Sequence, residues 1–289
     1  IDMNAFTNTV KGNYADMKGH GWDVQIYTRN INRKFKWSSQ LLFSYATDVV
    51  THYGGTLLPS SLVNFGAGAS GYVIPLEGKP VYGVYSFRWA GLDPQTGDPR
   101  GFVNDTISTD YATLANPVKF SDIEYNGPAR PKYYGGFGNT FTYKNLSLFI
   151  NITYKLDYYF KRLSVNYYNL VNYYEVNKDY SLRWQKPGDE KTTQVPSFTY
   201  PVNYSRDIFY NSSSVLVERG DHIRLQNISL SYDFNKGSWH KLPLDHIKLY
   251  AYINNVGILW RANKYGLDPD YPLGIPAPRT YAIGLRADF

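Results

Sequence analysis

The chain has 289 residues with 29 Tyr, 15 Phe and 6 Trp against 2 Met and no Cys, so a disulfide framework and a thiolate metal site are excluded and the composition favours strands. Lys and Arg number 30 and Asp and Glu 24, a net charge of +6. The basic residues are scattered, with only Arg33, Lys34 and Lys36 forming a cluster, which argues against a nucleic-acid partner. No run of about 18 apolar residues occurs, so no transmembrane helix is expected. The opening "IDMNAFTNTVKGNY" carries neither an initiator Met nor a charged and apolar leader and reads as a mature or interior piece of something longer.

Period-2 alternation dominates the chain from then on. Residues 21 to 28 form a first candidate strand, and a tight turn at 28–34 leads into "FKWSSQLLFSYA", which sets Phe35, Trp37, Leu41, Phe43 and Tyr45 against Lys36, Ser38, Gln40, Ser44 and Ala46. A long connection at 47–80 precedes a strand at 81–89. The "DPQTGDP" turn follows, and then a weak strand at 100–106. Residues 135–143 lead through a tight turn at Lys144 and Asn145 into "LSLFINITYKLDY", where Leu146, Leu148, Ile150, Ile152, Tyr154 and Leu156 oppose Ser147, Asn151, Thr153, Lys155 and Asp157. A second long connection covers 160–214, and strands at 223–234, 247–256 and 279–289 complete the chain.

Several of these runs reach the length of about ten residues that a tilted strand needs to cross a bilayer. None of their apolar faces carries Lys, Arg, Asp or Glu, as expected where a lipid-facing cation costs about 2–4 kcal/mol at the midplane. The expected fold is therefore all-β, an antiparallel transmembrane β-barrel. Keeping short and long connections in alternation requires the weak strand at 100–106, which brings the expected count to nine. Single-chain bacterial barrels have an even number of strands, so nine strands read as an arc of a larger wall.

Three stretches, "ERGDHIRLQNISLSYDF" (218–234), "HIKLYAYINNVGILWRANKYGLDPDY" (246–271) and the aromatic-terminated last strand, resemble the end of SusC/RagA-type TonB-dependent outer-membrane transporters. "GLDPQTGDP" (91–99), "ARPKYYGGFGNTFTYKNLSLFI" (129–150) and "RWQKPGDEKTTQVPSF" (183–198) resemble further stations of that family in the same order. The resemblance implies that residues 1–289 are the C-terminal part of a plugged barrel of roughly 22 strands, with the plug and the N-terminal strands lying outside this chain. It implies an outer-membrane location in a Gram-negative bacterium and import of glycan oligosaccharides or peptides. The implied partners are a SusD-like surface lipoprotein lid, TonB acting through the missing N-terminal part, outer-membrane lipid and the barrel-assembly machinery. It also makes Phe289 the C-terminal assembly signal. The alternatives are a self-contained small outer-membrane barrel with a structural role and a secreted carbohydrate-binding β-sandwich.

No catalytic or cofactor pattern stands out. The five histidines never fall at metal-ligand spacing, and no Ser-His-Asp order or phosphate-cradling loop is present, so neither an enzyme nor a cofactor is expected. "DPQTGDP" places oxygens as a calcium loop does but lacks the distal Glu, and reads as a turn. "DHIRL" at 221 and "DHIKL" at 245 read as strand starts. The aromatic stretch after 158 is the candidate for substrate contact, through Tyr167, Tyr168, Tyr173, Tyr174 and Trp184, because aromatic faces pack on sugar C–H faces while neighbouring amides bind hydroxyls. The competing reading is that these rings fold the loop itself and dock the lid.

Overall fold

The computed structural model describes residues 14–65, 75–235, 246–272 and 274–288. Its strands are β1 (Ala15–Asn32), β2 (Phe35–Tyr53), β3 (Gly83–Phe87), β4 (Trp89–Leu92), β5 (Pro99–Val103), β6 (Thr106–Ser108), β7 (Ile123–Pro128), β8 (Tyr133–Tyr143), β9 (Leu146–Leu156), β10 (Tyr159–Lys161), β11 (Val217–Arg219), β12 (His222–Asn235), β13 (His246–Arg261) and β14 (Thr280–Asp288). The α-helices α1 (Pro59–Phe65), α2 (Tyr111–Leu114), α3 (Tyr167–Tyr173) and α4 (Tyr204–Asn211) are all short. Among the described residues no helix is long and apolar enough to cross a membrane.

One seven-stranded antiparallel sheet, in the order β1-β2-β8-β9-β12-β13-β14, carries the long strands. Because side chains alternate along a strand, its register gathers the two residue classes on opposite faces. Ile31, Trp37, Phe141, Leu148, Leu230, Ala251 and Ile283 lie side by side across all seven strands. On the other face Gln40, Gly138, Asn151, Asn227, Asn254 and Thr280 form a matching polar row. Leu148, Ile150 and Ile152 thus share the apolar face, as the sequence pattern predicts, with Asn151 and Thr153 opposite. β1 and β14 form the two edges of the sheet and do not pair with each other.

The wall therefore has seven described strands where the parity argument expects nine. Residues 81–89 divide into β3, paired with β7, and β4, paired with β5; residues 100–106 contribute β5 and the start of β6. β3 is buried along its whole length, which makes it the interior of a folded excursion and not a one-layer wall. Short and long connections still alternate, because 54–132 is a single excursion between β2 and β8.

Some polar residues also sit on the apolar face. Ser39 and Asn139 are cross-strand neighbours, and the Asn139 Oδ1 accepts from Ser39 Oγ at 2.7 Å and from Trp37 Nε1 at 3.0 Å. Ser39 Oγ also accepts from Asn30 Nδ2 at 2.7 Å. These groups satisfy one another, which removes most of the cost of placing them on a face otherwise suited to hydrocarbon.

Candidate functional site

The excursions 54–132 and 157–221 fold together at one end of the wall. The first core packs Leu62, Val63, Tyr85, Phe87, Leu114 and Phe209, so α4 of the second excursion closes a core built mainly by the first. Phe209 stacks on Phe87 at 5.9 Å and on Trp89 at 6.3 Å between ring centroids. The second core holds Val165, Tyr167, Val195, Tyr210 and Leu216. Arg206 joins the excursions electrostatically: its Nε donates to Asp98 Oδ1 at 2.9 Å and its Nη2 to Ser197 O at 2.8 Å. Gly97 lies at φ +72°, and a Cβ there would come within 2.4 Å of the Trp184 ring, so only glycine lets the ring close over this turn. Asp93 Oδ1 meanwhile accepts from the Gln95 and Thr96 amides at 2.9 and 3.0 Å, the turn role expected of "DPQTGDP".

The aromatic residues singled out in the sequence divide between interior and surface. Tyr167 is 1% exposed and donates its hydroxyl to Pro196 O. Trp184 is buried, with Nε1 donating to Glu190 Oε2 at 3.3 Å. Tyr168 packs edge-on against Tyr173 and Tyr204 at 6.2 and 5.1 Å. Tyr173 and Tyr174 are 63% and 86% exposed. The structure thus brings Tyr168, Tyr173 and Tyr204 into one surface cluster, with Tyr174 at the left-handed cap of α3. Nothing in the local pattern singles out Tyr204; it joins the cluster because α3 and α4 pack together. Phe289 lies outside the described residues.

A second constellation, which the spacing did not reveal, lies on the polar face beneath the connection 262–279. Arg224 donates to Asp268 Oδ1 at 2.5 Å, to Asp270 Oδ2 at 3.1 Å and to Asn255 Oδ1 at 2.6 Å. Lys155 Nζ reaches Asp270 at 2.6 Å, and His222 Nε2 lies 3.3 Å from the same carboxylate. Burial pushes the Asp270 carboxyl up, but the hydrogen bonds from His222 and Lys155 outweigh it and hold the group well below the usual carboxylate range. Arg162 pairs with Asp179 at 2.5 Å while its guanidinium lies 4.0 Å over the Tyr265 ring, which ties the same connection to the second excursion. "DHIRL" enters this network through Asp221, whose Oδ1 accepts from the Asp157 amide at 2.8 Å, and through His222. The start of "DHIKL" lies outside the described residues.

A sheet wall with one mainly apolar face, one polar face and a structured rim at one end is the architecture of an outer-membrane β-barrel. No family model matches the chain. The chain is 25% identical to TonB-dependent receptor P39 of Formosa agariphila and 25% identical to TonB-dependent receptor P26 of the same organism, over 98% of its length in each case. It spans 31% and 30% of the length of those receptors. In fold it matches the RagAB peptide transporter with a TM-score of 0.69 at 19% identity, covering 96% of this chain and 30% of that one. The RagAB peptide importer in its closed-closed state matches at 0.67 and 18% identity, with 96% of this chain and 30% of the other covered. The similarity to TonB-dependent receptors over nearly the whole chain and the fold shared with the RagAB transporter agree with the resemblance drawn from the sequence, and the wall is that of an outer-membrane β-barrel. These relatives carry the names of receptors and transporters, not of enzymes.

Proposed function

We propose that this chain forms part of the wall and outer rim of a TonB-dependent importer that takes up glycan oligosaccharides or peptides beneath a SusD-like surface lipoprotein, with TonB engaging a part of the protein outside these residues. The observation that carries this reading is the fusion of two long excursions into one rim with its own cores. A rim folded before ligand arrives avoids much of the ordering cost of binding. The exposed Tyr173, Tyr174 and Tyr204, with the half-buried Tyr168 beside Tyr173 and Tyr204, offer flat rings for a sugar face or a peptide chain. Tyr167 and Trp184 are buried and belong to the fold of the excursion itself.

The test is uptake by cells carrying the full-length receptor with Tyr173→Ser and Tyr174→Ser. Both side chains are exposed, so surface amount and heat-modifiable migration should match the native protein while TonB-dependent uptake falls. Deleting 165–180 would be a poorer test, because that segment contains the core residues Val165 and Tyr167 and the buried Asp179. Undiminished uptake in the double variant would take these tyrosines out of the ligand's path.

A further inference from the structure

A cavity of about 400 Å³ lies where the polar face of β2, β8 and β9 meets the foot of the first excursion, within the range of about 300–1,000 Å³ found for small-ligand sites. Pro80, Pro128 and Pro131 line it together with Tyr82 and Tyr134. Three prolines fix much of the surrounding backbone. The link from 129 to 132 is pinned at both ends, by Ala129 N donating to Tyr82 O at 2.8 Å and Ala46 N donating to Lys132 O at 3.0 Å. The space is therefore built into the junction between rim and wall.

Its charged lining is uneven in partnership. Lys132 is paired with Asp157 at 2.8 Å and Lys155 with Asp270 at 2.6 Å. Asp48, the carboxylate in the lining, uses Oδ2 to accept from the Val81 amide at 2.7 Å. Arg130 differs: its guanidinium lies 3.4 Å over the Tyr82 ring and takes no carboxylate partner among the described residues. Stacking fixes the plane of the guanidinium and leaves its N–H edge free, the arrangement suited to bidentate capture of a planar anion. Lys132 and Lys155 neutralise Asp157 and Asp270, which keeps those two carboxylates from repelling such a group, and the Val81 amide takes up one oxygen of Asp48.

We propose that this cavity is a binding subsite for a carboxylate carried by the oligomer in transit. Arg130 supplies paired N–H donors, and Tyr82, Tyr134 and the prolines pack the adjoining ring or chain. The inference rests on the importer reading and adds to it a preference for acidic ligands at the polar face of the wall. The carboxylate could belong to a uronic acid or to a peptide C-terminus, and the experiment separates these sources.

Titration calorimetry on the purified full-length receptor at low salt would compare trigalacturonic acid with its methyl ester, and trialanine with its C-terminal amide. One acid should bind about tenfold or more tightly than its neutral twin, and the pair that shows the preference identifies the source. Arg130→Gln should abolish the preference, and Arg130→Lys should restore part of it, because charge is kept while the fork is lost. Acid and neutral forms that behave alike in both pairs, or a preference that survives Arg130→Gln, would overturn the subsite. TonB-dependent uptake by cells tests the importer reading separately: uptake that persists when calorimetry shows no acid preference removes the subsite alone.

Discussion

Arg224→Met should free the connection 262–279 from the wall without dismantling the sheet. In the native protein the Arg224 side chain is 5% exposed and that of Asp268 10%. Asp270 would keep Lys155 and His222 after the substitution, whereas Asp268 would lose the arginine that faces it at 2.5 Å. Removing one partner of a buried ion pair costs about 3–5 kcal/mol, and the lower end applies because the second carboxylate remains compensated. At about 1.36 kcal/mol per tenfold, a loss of about 3 kcal/mol means about 150-fold more frequent local opening. Hydrogen exchange read by mass spectrometry on the full receptor in detergent should show that acceleration at residues 264–272, with β9 and β12 amides slow as before. Arg224→Met combined with Asp268→Asn should recover part of the loss, since the stranded charge is gone. Acid should act in the same direction: the Asp270 carboxyl is lowered from its ordinary 3.8, so its contribution is present above that value and fades as pH falls through the lower folded one. Native exchange rates at 264–272 in Arg224→Met would refute the latch and assign the connection to its backbone contacts, such as Asn255 Nδ2 donating to Ala277 O.

Spin labels at Leu148, Ile150 and Ile152 in the full receptor should report lipid-type oxygen access, and labels at Asn151 and Thr153 an aqueous surface; the reverse would mean a one-residue register error. Asn139→Leu should destabilise the barrel by about 1–3 kcal/mol, because the Trp37 N–H and Ser39 O–H lose their shared acceptor on the apolar face; urea titration read by gel mobility would measure it, and an unchanged midpoint would dismiss the cluster. Lys161, enclosed beneath the rim and donating to Val63 O at 2.8 Å, is pushed down from 10.5 to about 8 by burial. Above about pH 8 the folded state releases this proton before the unfolded one, so resistance of the rim to proteolysis should rise between about pH 8 and 10, and Lys161→Met should erase the rise. The 289-residue chain expressed alone should fail to give a compact heat-modifiable monomer, since β1 and β14 are unpaired with each other and open edges cost several kcal/mol per unsatisfied group in hydrocarbon; a protease-resistant monomer would show that the sheet closes on itself.

The two faces of the wall were legible from the sequence alone, because a strand places alternate side chains on opposite sides and a bilayer excludes charge from one of them. Leu146 to Leu156 could be assigned residue by residue on that basis, and so could the tight turn at Lys144, which adopts φ 51°. Membership of the wall was not legible. Residues 81–89 alternate as a wall strand does, and only their long-range pairing with β7 and β5 separates them from it. Period-2 patterning reports that a strand has two faces; it cannot report which strand lies beside it. The same limit governs the candidate site: Tyr167 and Tyr173 stand on one short helix, yet the packing of α3 against residues 195–216 buries the first ring and leaves the second in solvent. Ser39 with Asn139 on the apolar face, Arg224 with Asp268, and Arg130 over Tyr82 are each separated along the chain by more than forty residues. Their chemistry exists only once the sheet register and the folded excursions bring them together.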